Sequence, residues 1–304
     1  MPLTITDMRE NDAWLTTVVE INRRIQATLV AASKLTVSQY RILLEIAANE
    51  SSLSCGALAT MLFLTPSAIT AAVDRLSEKG LVNRTGVQAN RRVVLVGITE
   101  QGLALLHATD ARLGQMLQDT VWCDLTPEQL KVLVKSTALS TQSLVGRSRV
   151  HGNVAVEPCY ITCAIVQLKS YESIVAKANL SLNEFRVGTA SLDRREPVRS
   201  IDMAHELILG RNAASRAIIA LGKKGIVRIK PCPTDSRTSM LAPTSAGEKL
   251  LRETLVPLEA FDRQFCPVEE HVGPDNVGLF RQINKTLHAT RSDLRCRATL
   301  AAEP

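Results

Sequence analysis

Apolar residues recur at helical spacing through most of this chain, and the spacing breaks in the same way at two places 145 residues apart. Trp14, Val18, Ile21, Ile25 and Leu29 form one stripe, which predicts a long helix over roughly 8–32. Thr36-Val37-Ser38-Gln39 then reads as a capping box: a threonine hydroxyl and a glutamine amide satisfy two otherwise orphaned backbone N–H groups, and a helix starts. A short helix is predicted near 54–61. Thr65-Pro66 opens the next one, with a hydroxyl at the N-cap and a proline whose fixed φ suits the first turn. It stops at Lys79-Gly80, a cation in the last turn followed by the residue best able to turn left-handed. Beyond Gly80 the period becomes that of extended chain. Segments 81–85 and 92–98 are predicted strands, joined by a polar tip over 86–91. Thr99 caps a long helix, and Thr126-Pro127-Glu128-Gln129 starts another with Leu130, Leu133, Val134 and Thr137 on one face.

The second half repeats this order. Leu35-Thr36-Val37-Ser38-Gln39-Tyr40-Arg41 returns as Leu180-Ser181-Leu182-Asn183-Glu184-Phe185-Arg186, and Arg75 to Val82 returns as Ala220 to Val227. Asn90-Arg91-Arg92 meets Asp235-Ser236-Arg237, and Thr99-Glu100-Gln101-Gly102 meets Thr244-Ser245-Ala246-Gly247. The second strands are expected at about 226–230 and 237–242, with Pro231, Pro233 and Asp235 in the tip. Val277, Phe280, Ile283 and Leu287 mark a closing helix. One offset held across helices, turns and a hairpin predicts a duplicated domain: repeat one over 1–146, a linker over 147–156, repeat two over 157–290, and a loose tail over 291–304. The middle of each repeat reads as a winged helix-turn-helix in a mainly helical, α+β chain. The apolar stripes of the flanking helices exceed what one copy can cover. The expected architecture is therefore tandem winged helix-turn-helix domains whose terminal helices interlock, an intramolecular pseudo-dimer.

Charge adds a partner class without fixing it. The net charge is +6 with a pI near 9.0, a mild excess compatible with nucleic acid. Residues 1–150 carry 15 Lys+Arg against 13 Asp+Glu, and residues 151–304 carry 21 against 17, so the second half is the more basic. Aromatic residues make up only 3%, too few for a surface that stacks single-stranded bases. No apolar run has the length of a membrane span and the N-terminus lacks a signal pattern, so no membrane partner and a cytoplasmic location are expected. The seven cysteines fit a reducing compartment.

These residues resemble the MarR family (multiple antibiotic resistance regulators). The likeness rests on the L-x-x-K-G-[LI]-V exit of the helix-turn-helix at Leu76 to Val82 and Leu221 to Val227, the D-x-R-like wing tip, and the T-x-x-G start of the next helix. It implies a double-stranded DNA-binding transcriptional regulator, most often a repressor, that places a recognition helix in the major groove and a wing near the minor groove. It also implies a small lipophilic or aromatic effector between helical body and winged domain, with no residues assignable. The copies depart from the family pattern differently. The T-R pair expected in the recognition helix is Ser215-Arg216 in copy two but Thr70-Ala71 in copy one. The D-R pair is Asp74-Arg75 in copy one but Ile219-Ala220 in copy two, and the wing acid is Asp235 in copy two but Asn90 in copy one.

Candidate DNA contacts follow from chemistry. Arg211, Asn212, Ser215 and Arg216 lie in the first turns of the second recognition helix, where arginine can pair with guanine and asparagine with adenine. In copy one Ser67 and Thr70 suit phosphate or thymine-methyl contacts better than guanine readout. Arg84, Arg91, Arg228 and Lys230 are candidate phosphate contacts, while Arg92 and Arg237 are expected to be partly structural in their wings. Unequal reading heads predict an imperfect inverted repeat as the target. The alternative for the same fold is an effector-sensing or protein-interaction module that does not bind DNA.

Other chemistry is thin. Cys159 and Cys163 share a helix face but match Trp14 and Val18 at the 145 offset, so they read as small core residues; Cys55, Cys123 and Cys266 carry at most a speculative thiol switch. His205-Glu206 starts like a zinc-protease motif, but Leu209 stands where the second ligand belongs. No metal site, cofactor or enzymatic motif is expected.

Overall fold

The computed structural model describes residues 5–49, 51–87, 90–145, 156–192, 194, 196–233, 238–265, 279 and 282–290. The first stripe becomes α1 (Ile5–Ser33), which stops where Lys34 turns left-handed at φ 54°. Both arms of the capping box form. The Thr36 amide donates to the Gln39 side chain at 2.9 Å, the Gln39 amide donates to Thr36 Oγ1 at 3.3 Å, and α2 (Val37–Ala48) follows. Then come β1 (Leu53–Ser54), α3 (Cys55–Leu62) and α4 (Pro66–Glu78), the chain turning by 115° between the last two, as a helix-turn-helix requires. The wing is β2 (Val82–Val87) and β3 (Asn90–Ile98), and β1 pairs with β3 to give the order β1-β3-β2. Next, α5 (Glu100–Leu117) runs into a π-helical turn (Gln118–Trp122), and α6 (Pro127–Val145) follows.

The second half contains α7 (Val156–Ala176), α8 (Leu182–Ala190), β4 (Val198–Arg199), α9 (Ser200–Glu206), α10 (Arg211–Lys223), β5 (Val227–Pro231), β6 (Ser239–Pro243), α11 (Ser245–Phe265) and a final helical stretch, α12 (282–290). Its sheet has the order β4-β6-β5, the counterpart of the first. α4 and α10 are both 13 residues long and start at 66 and 211, 145 apart. The left-handed residues recur at that distance too: Lys34, Phe63 and Gly80 against Asn179, Ile208 and Gly225.

Several sequence expectations need correcting. The short third strands β1 and β4 were not predicted. Two residues are too few to show an alternation, and these form because the backbone of β3 or β6 offers an edge to pair with. The first hairpin turn is tighter than 86–91, since β2 runs to Val87 and β3 starts at Asn90; ladder bonds continue through polar residues, with a bulge at Gly86/Val87. α7 starts at Val156, inside the stretch read as linker. The offset slips to 146 along the first helix of each half. Ile25 and Leu29 are fully buried, as are Tyr171 and Val175, while Val30 is 61% exposed and its 145-offset mate Val175 is not exposed at all. Cys163 therefore corresponds to Thr17 rather than Val18. It is buried, as expected of a core residue.

Two cores result, and each borrows from the other half. Around Ile25, Leu43, Leu58 and Leu76 gather Tyr160, Ile161 and Ile165 of α7 and Leu279, Ile283 and Leu287 near the C-terminus. Around Phe185, Leu221 and Leu251 sit Leu15 and Val18 of α1. Buried Arg24 of α1 joins the same elements, bonding Glu20 at 3.1 Å, the Thr120 carbonyl at 3.3 Å and the Leu287 carbonyl at 3.1 Å. Val277 and Phe280 of the expected closing helix lie outside the described side chains, whereas Ile283 and Leu287 are buried on it.

Candidate nucleic-acid interface

Each winged motif holds its second helix in the same way. Ile69, Ala72, Val73 and Leu76 bury one face of α4, and Ala214, Ala217, Ile218 and Leu221 bury the equivalent face of α10, which turns the opposite faces outward. Each helix exits through a left-handed glycine, Gly80 at φ 70° and Gly225 at φ 69°. Thr99 donates its hydroxyl to the Gly80 carbonyl at 2.8 Å and accepts from the Gly102 amide at 3.0 Å; Thr244 does the same with Gly225 (2.7 Å) and Gly247 (3.0 Å). Gly102 and Gly247 are required by close approach. A Cβ on either would lie 2.1 Å from the Leu81 carbonyl oxygen or 2.0 Å from that of Ile226. The cation before each glycine clasps the end of the first helix: Lys79 Nζ donates to the Lys34 carbonyl at 3.1 Å, and Lys224 Nζ to that of Asn179 at 2.6 Å.

In the second half, Arg211, Asn212, Ser215 and Arg216 are brought together on one exposed face of α10 by their helical spacing. Among the described residues, no hydrogen bond or ion pair within the chain engages these four side chains. Arg228 and Lys230 are exposed on β5, two residues apart and so on one side of that strand. Between them Ile229 turns the other way, onto α10, where its Cδ1 would lie 2.6 Å from a Cβ on Gly222. The 13 residues of α10 carry Arg211, Arg216 and Lys223 and no acid, a net +3.

The first half differs. Ser67 and Thr70 are exposed at the start of α4, but Ser67 Oγ lies 3.1 Å from Thr65 Oγ1 and the Thr70 hydroxyl donates to the Pro66 carbonyl at 3.0 Å. Arg84 on β2 donates to Asp74 Oδ1 at 2.5 Å, so its charge is already matched by an acid on α4. Sequence reasoning missed that partnership. Its only signal is that Asp74 and Arg84 both become isoleucines, Ile219 and Ile229, in the other half. With Asp74, Arg75 and Glu78, α4 has a net charge of −1. The side chains of Arg91 and Arg92, although on β3, lie outside the described residues, as does Arg237.

The remaining candidates offer little chemistry. A cavity of about 40 Å³ between α1, α6 and α7 is lined by Trp14, Ser136, Thr137, Tyr160, Cys163 and Gln167 among others. An apolar cavity of about 150 Å³ is what holds one benzene ring, so this space, walled mainly by apolar groups that include Val18, Ile21, Leu133 and Ala164, is well below the size of an aromatic effector. Cys55 and Cys123 are free thiols. Desolvation and the neighbouring Asp124 push the Cys123 thiol up, away from the reactive thiolate. Cys266 and the side chain of Cys159 lie outside the described residues. Glu206 bonds Arg194 at 2.6 Å, and the His205 ring lies 5.6 Å from that of His288. Among the described residues no three His, Cys, Asp or Glu groups are placed to hold a metal ion, and no single helix is long and apolar enough to cross a membrane.

Residues 33–93, which comprise α2 to the start of β3, match the sequence model of the MarR family. Among solved structures the chain is similar to the transcriptional regulator BldR from Sulfolobus solfataricus, at 34% identity over 37% of this chain and 81% of that one, with a TM-score of 0.32. It is similar to wild-type MarR in its apo form from E. coli, at 25% identity over 38% and 85% of the two chains, with a TM-score of 0.35. It is also similar to a transcriptional regulator (MarR family) from Rhodococcus sp. RHA1, at 26% identity over 41% and 84%, with a TM-score of 0.35. No curated protein matches the chain.

Proposed function

We propose that this chain is a MarR-type transcriptional regulator that binds double-stranded DNA in the cytoplasm as an intramolecular pseudo-dimer. Its two winged helix-turn-helix units, 1–146 and 157–290, are joined by 147–156 and take the place of two subunits. The observation that carries the reading is the exposed, unengaged face of Arg211, Asn212, Ser215 and Arg216 on the second helix of a helix-turn-helix. Guanine O6 and N7 can accept from an arginine and adenine can pair with an asparagine, while Arg228 and Lys230 meet phosphates beside the groove. Ser67 and Thr70 give the first unit phosphate or methyl contacts, so the target is an imperfect inverted repeat. Fusion fixes the local concentration of one unit for the other and removes the dimerisation equilibrium. Repression relieved by a small lipophilic or aromatic effector completes the reading.

Selection of bound duplexes from a random pool, followed by a salt titration, tests it. A protein using six to ten phosphates loses about 10³–10⁵ in affinity between 50 and 200 mM salt. A second reading, a protein-interaction module without DNA binding, is favoured by α4, which carries net negative charge behind a Phe63 that is 68% exposed. Failure to enrich any duplex, with affinity for a protein partner instead, selects that reading.

A further inference from the structure

Apolar side chains and cations interleave on the outward side of the second winged motif. Ile219 of α10 is 50% exposed, and Ile229 of β5 is 40% exposed. Arg216 stands one helical turn before Ile219 and Lys223 one turn after it, while Arg228 and Lys230 flank Ile229 along its strand. Neither α10 nor β5 contains an acid. In the first motif the equivalent positions hold Asp74 and Arg84, and the two side chains are joined as an ion pair. The second motif puts isoleucines there. Ile229 lies along α10 one turn beyond Ile219, its Cδ1 2.6 Å from where a Cβ on Gly222 would stand. Isoleucines that served only to hold the wing would be closed over by it, yet both remain largely open to solvent.

Ile219 falls at the centre of the proposed reading face, not at its edge. At about 100° per residue, Asn212 two turns earlier and Lys223 one turn later lie close to its line, with Ser215 and Arg216 to either side. Asn212, Ser215, Arg216 and Ile219 also have the spacing with which one class of recognition helix presents its base-reading side chains to a major groove. Three residues of helix rise about 4.5 Å, which is one to two base-pair steps of about 3.4 Å each.

We propose that Ile219 reads a thymine through its C5-methyl group, one to two base pairs from the guanine that Arg216 pairs with. This rests on the DNA-binding reading and names part of what the second unit selects. Base edges in the major groove offer donors and acceptors at every pair, but thymine alone adds an apolar group. An isoleucine can use only that group. The surrounding cations decide the class of partner: an apolar side chain set among arginines and lysines, with no acid on its helix, suits a polyanion that carries methyl groups. Ile229, seated against Gly222, backs the contact from the wing as a positioning residue. The first motif has a carboxylate at this place, so the contact belongs to the second half-site.

Deoxyuridine in place of thymidine removes the methyl and keeps the base pair, so a duplex selected by the wild-type chain is scanned one thymine at a time. Losing one buried methyl should weaken wild-type binding about fourfold at a single thymine beside the guanine of the second half-site. Ile219→Ala should bind the unmodified duplex about fourfold or more less tightly, be indifferent to deoxyuridine at that thymine, and keep the wild-type melting temperature. Ile219→Val retains a branched side chain and should retain most of the sensitivity. Wild-type binding that is unchanged by every deoxyuridine, or changed only in the other half-site, overturns the proposal. So does a deoxyuridine effect of equal size in Ile219→Ala, because Ile219 would then act only by holding the wing. A duplex bound without regard to its thymine methyls removes Ile219 from the readout and leaves the DNA-binding reading standing. Failure to enrich any duplex refutes that reading, and the proposal falls with it.

Discussion

Helices α4 and α10 hold the same place in two winged motifs, yet one carries net charge −1 and the other +3. Their buried faces and their exits are alike: a left-handed glycine, a lysine clasped to the preceding left-handed residue, a threonine that caps the next helix. They differ in what faces outward, in how the helix holds its wing, and at the helix start, where Thr65 caps α4 and Gly210 gives α10 no side-chain cap. In the first motif the grip is an ion pair, Asp74 with Arg84; in the second, isoleucines stand at both places, 219 and 229. The framework is thus kept where close packing forbids change, and the surface has diverged where water tolerates it. A solvated face costs almost nothing to redesign, whereas a glycine against a carbonyl cannot be replaced.

The largest effect tests the shared part of this comparison. Gly102→Ala and Gly247→Ala each drive a methyl into a backbone carbonyl, and each is expected to destabilise its half by about 3 kcal/mol in denaturant unfolding. Clearly unequal losses would mean that the two wings are not seated equivalently. Next comes the divergent part. Arg216→Ala should remove about 1–3 kcal/mol of discrimination from a selected duplex, roughly 5–150-fold in affinity, while leaving the melting temperature unchanged. Ala71→Arg places the same side chain in the first helix and is expected to tighten binding by a smaller factor. Gel-shift titrations in which neither variant differs from the wild type would overturn the assignment of α10 as the reader.

How much of this could be seen in the sequence depends on whether a feature is local. The capping boxes at Thr36 and Ser181, the glycine exits and the threonine caps involve residues three or four apart, and the structure forms each of them. The face formed by Arg211, Asn212, Ser215 and Arg216 was legible for the same reason. Features made by pairing across distance were not. β1 and β4 exist because β3 and β6 offer them an edge, and the Asp74–Arg84 pair joins a helix to a strand. The slip in the first helix was hidden because aliphatic residues fill the stripe at either register. Only burial separates them: Lys34 follows the buried Leu29 by five positions, whereas Asn179 follows the buried Val175 by four. The bond that Tyr171 of α7 donates to Asp262 of α11 was illegible because the two residues lie 91 positions apart and neither belongs to a motif.

The smallest expected effect is the most informative about the first motif. Arg84 and Asp74 are partly solvent-exposed, with side-chain exposures of 35% and 46%, so breaking their pair by Asp74→Ala should change stability by no more than about 1 kcal/mol. What changes is the availability of charge. Freed from the acid, Arg84 can turn to a phosphate, and one added phosphate contact steepens the dependence of log affinity on log salt by about 0.9. The gain should be equal on selected and unrelated duplexes, because a phosphate carries no sequence. An unchanged salt slope would place Arg84 beyond reach of the backbone even when released. A gain restricted to the selected duplex would instead give Arg84 a share of the sequence readout.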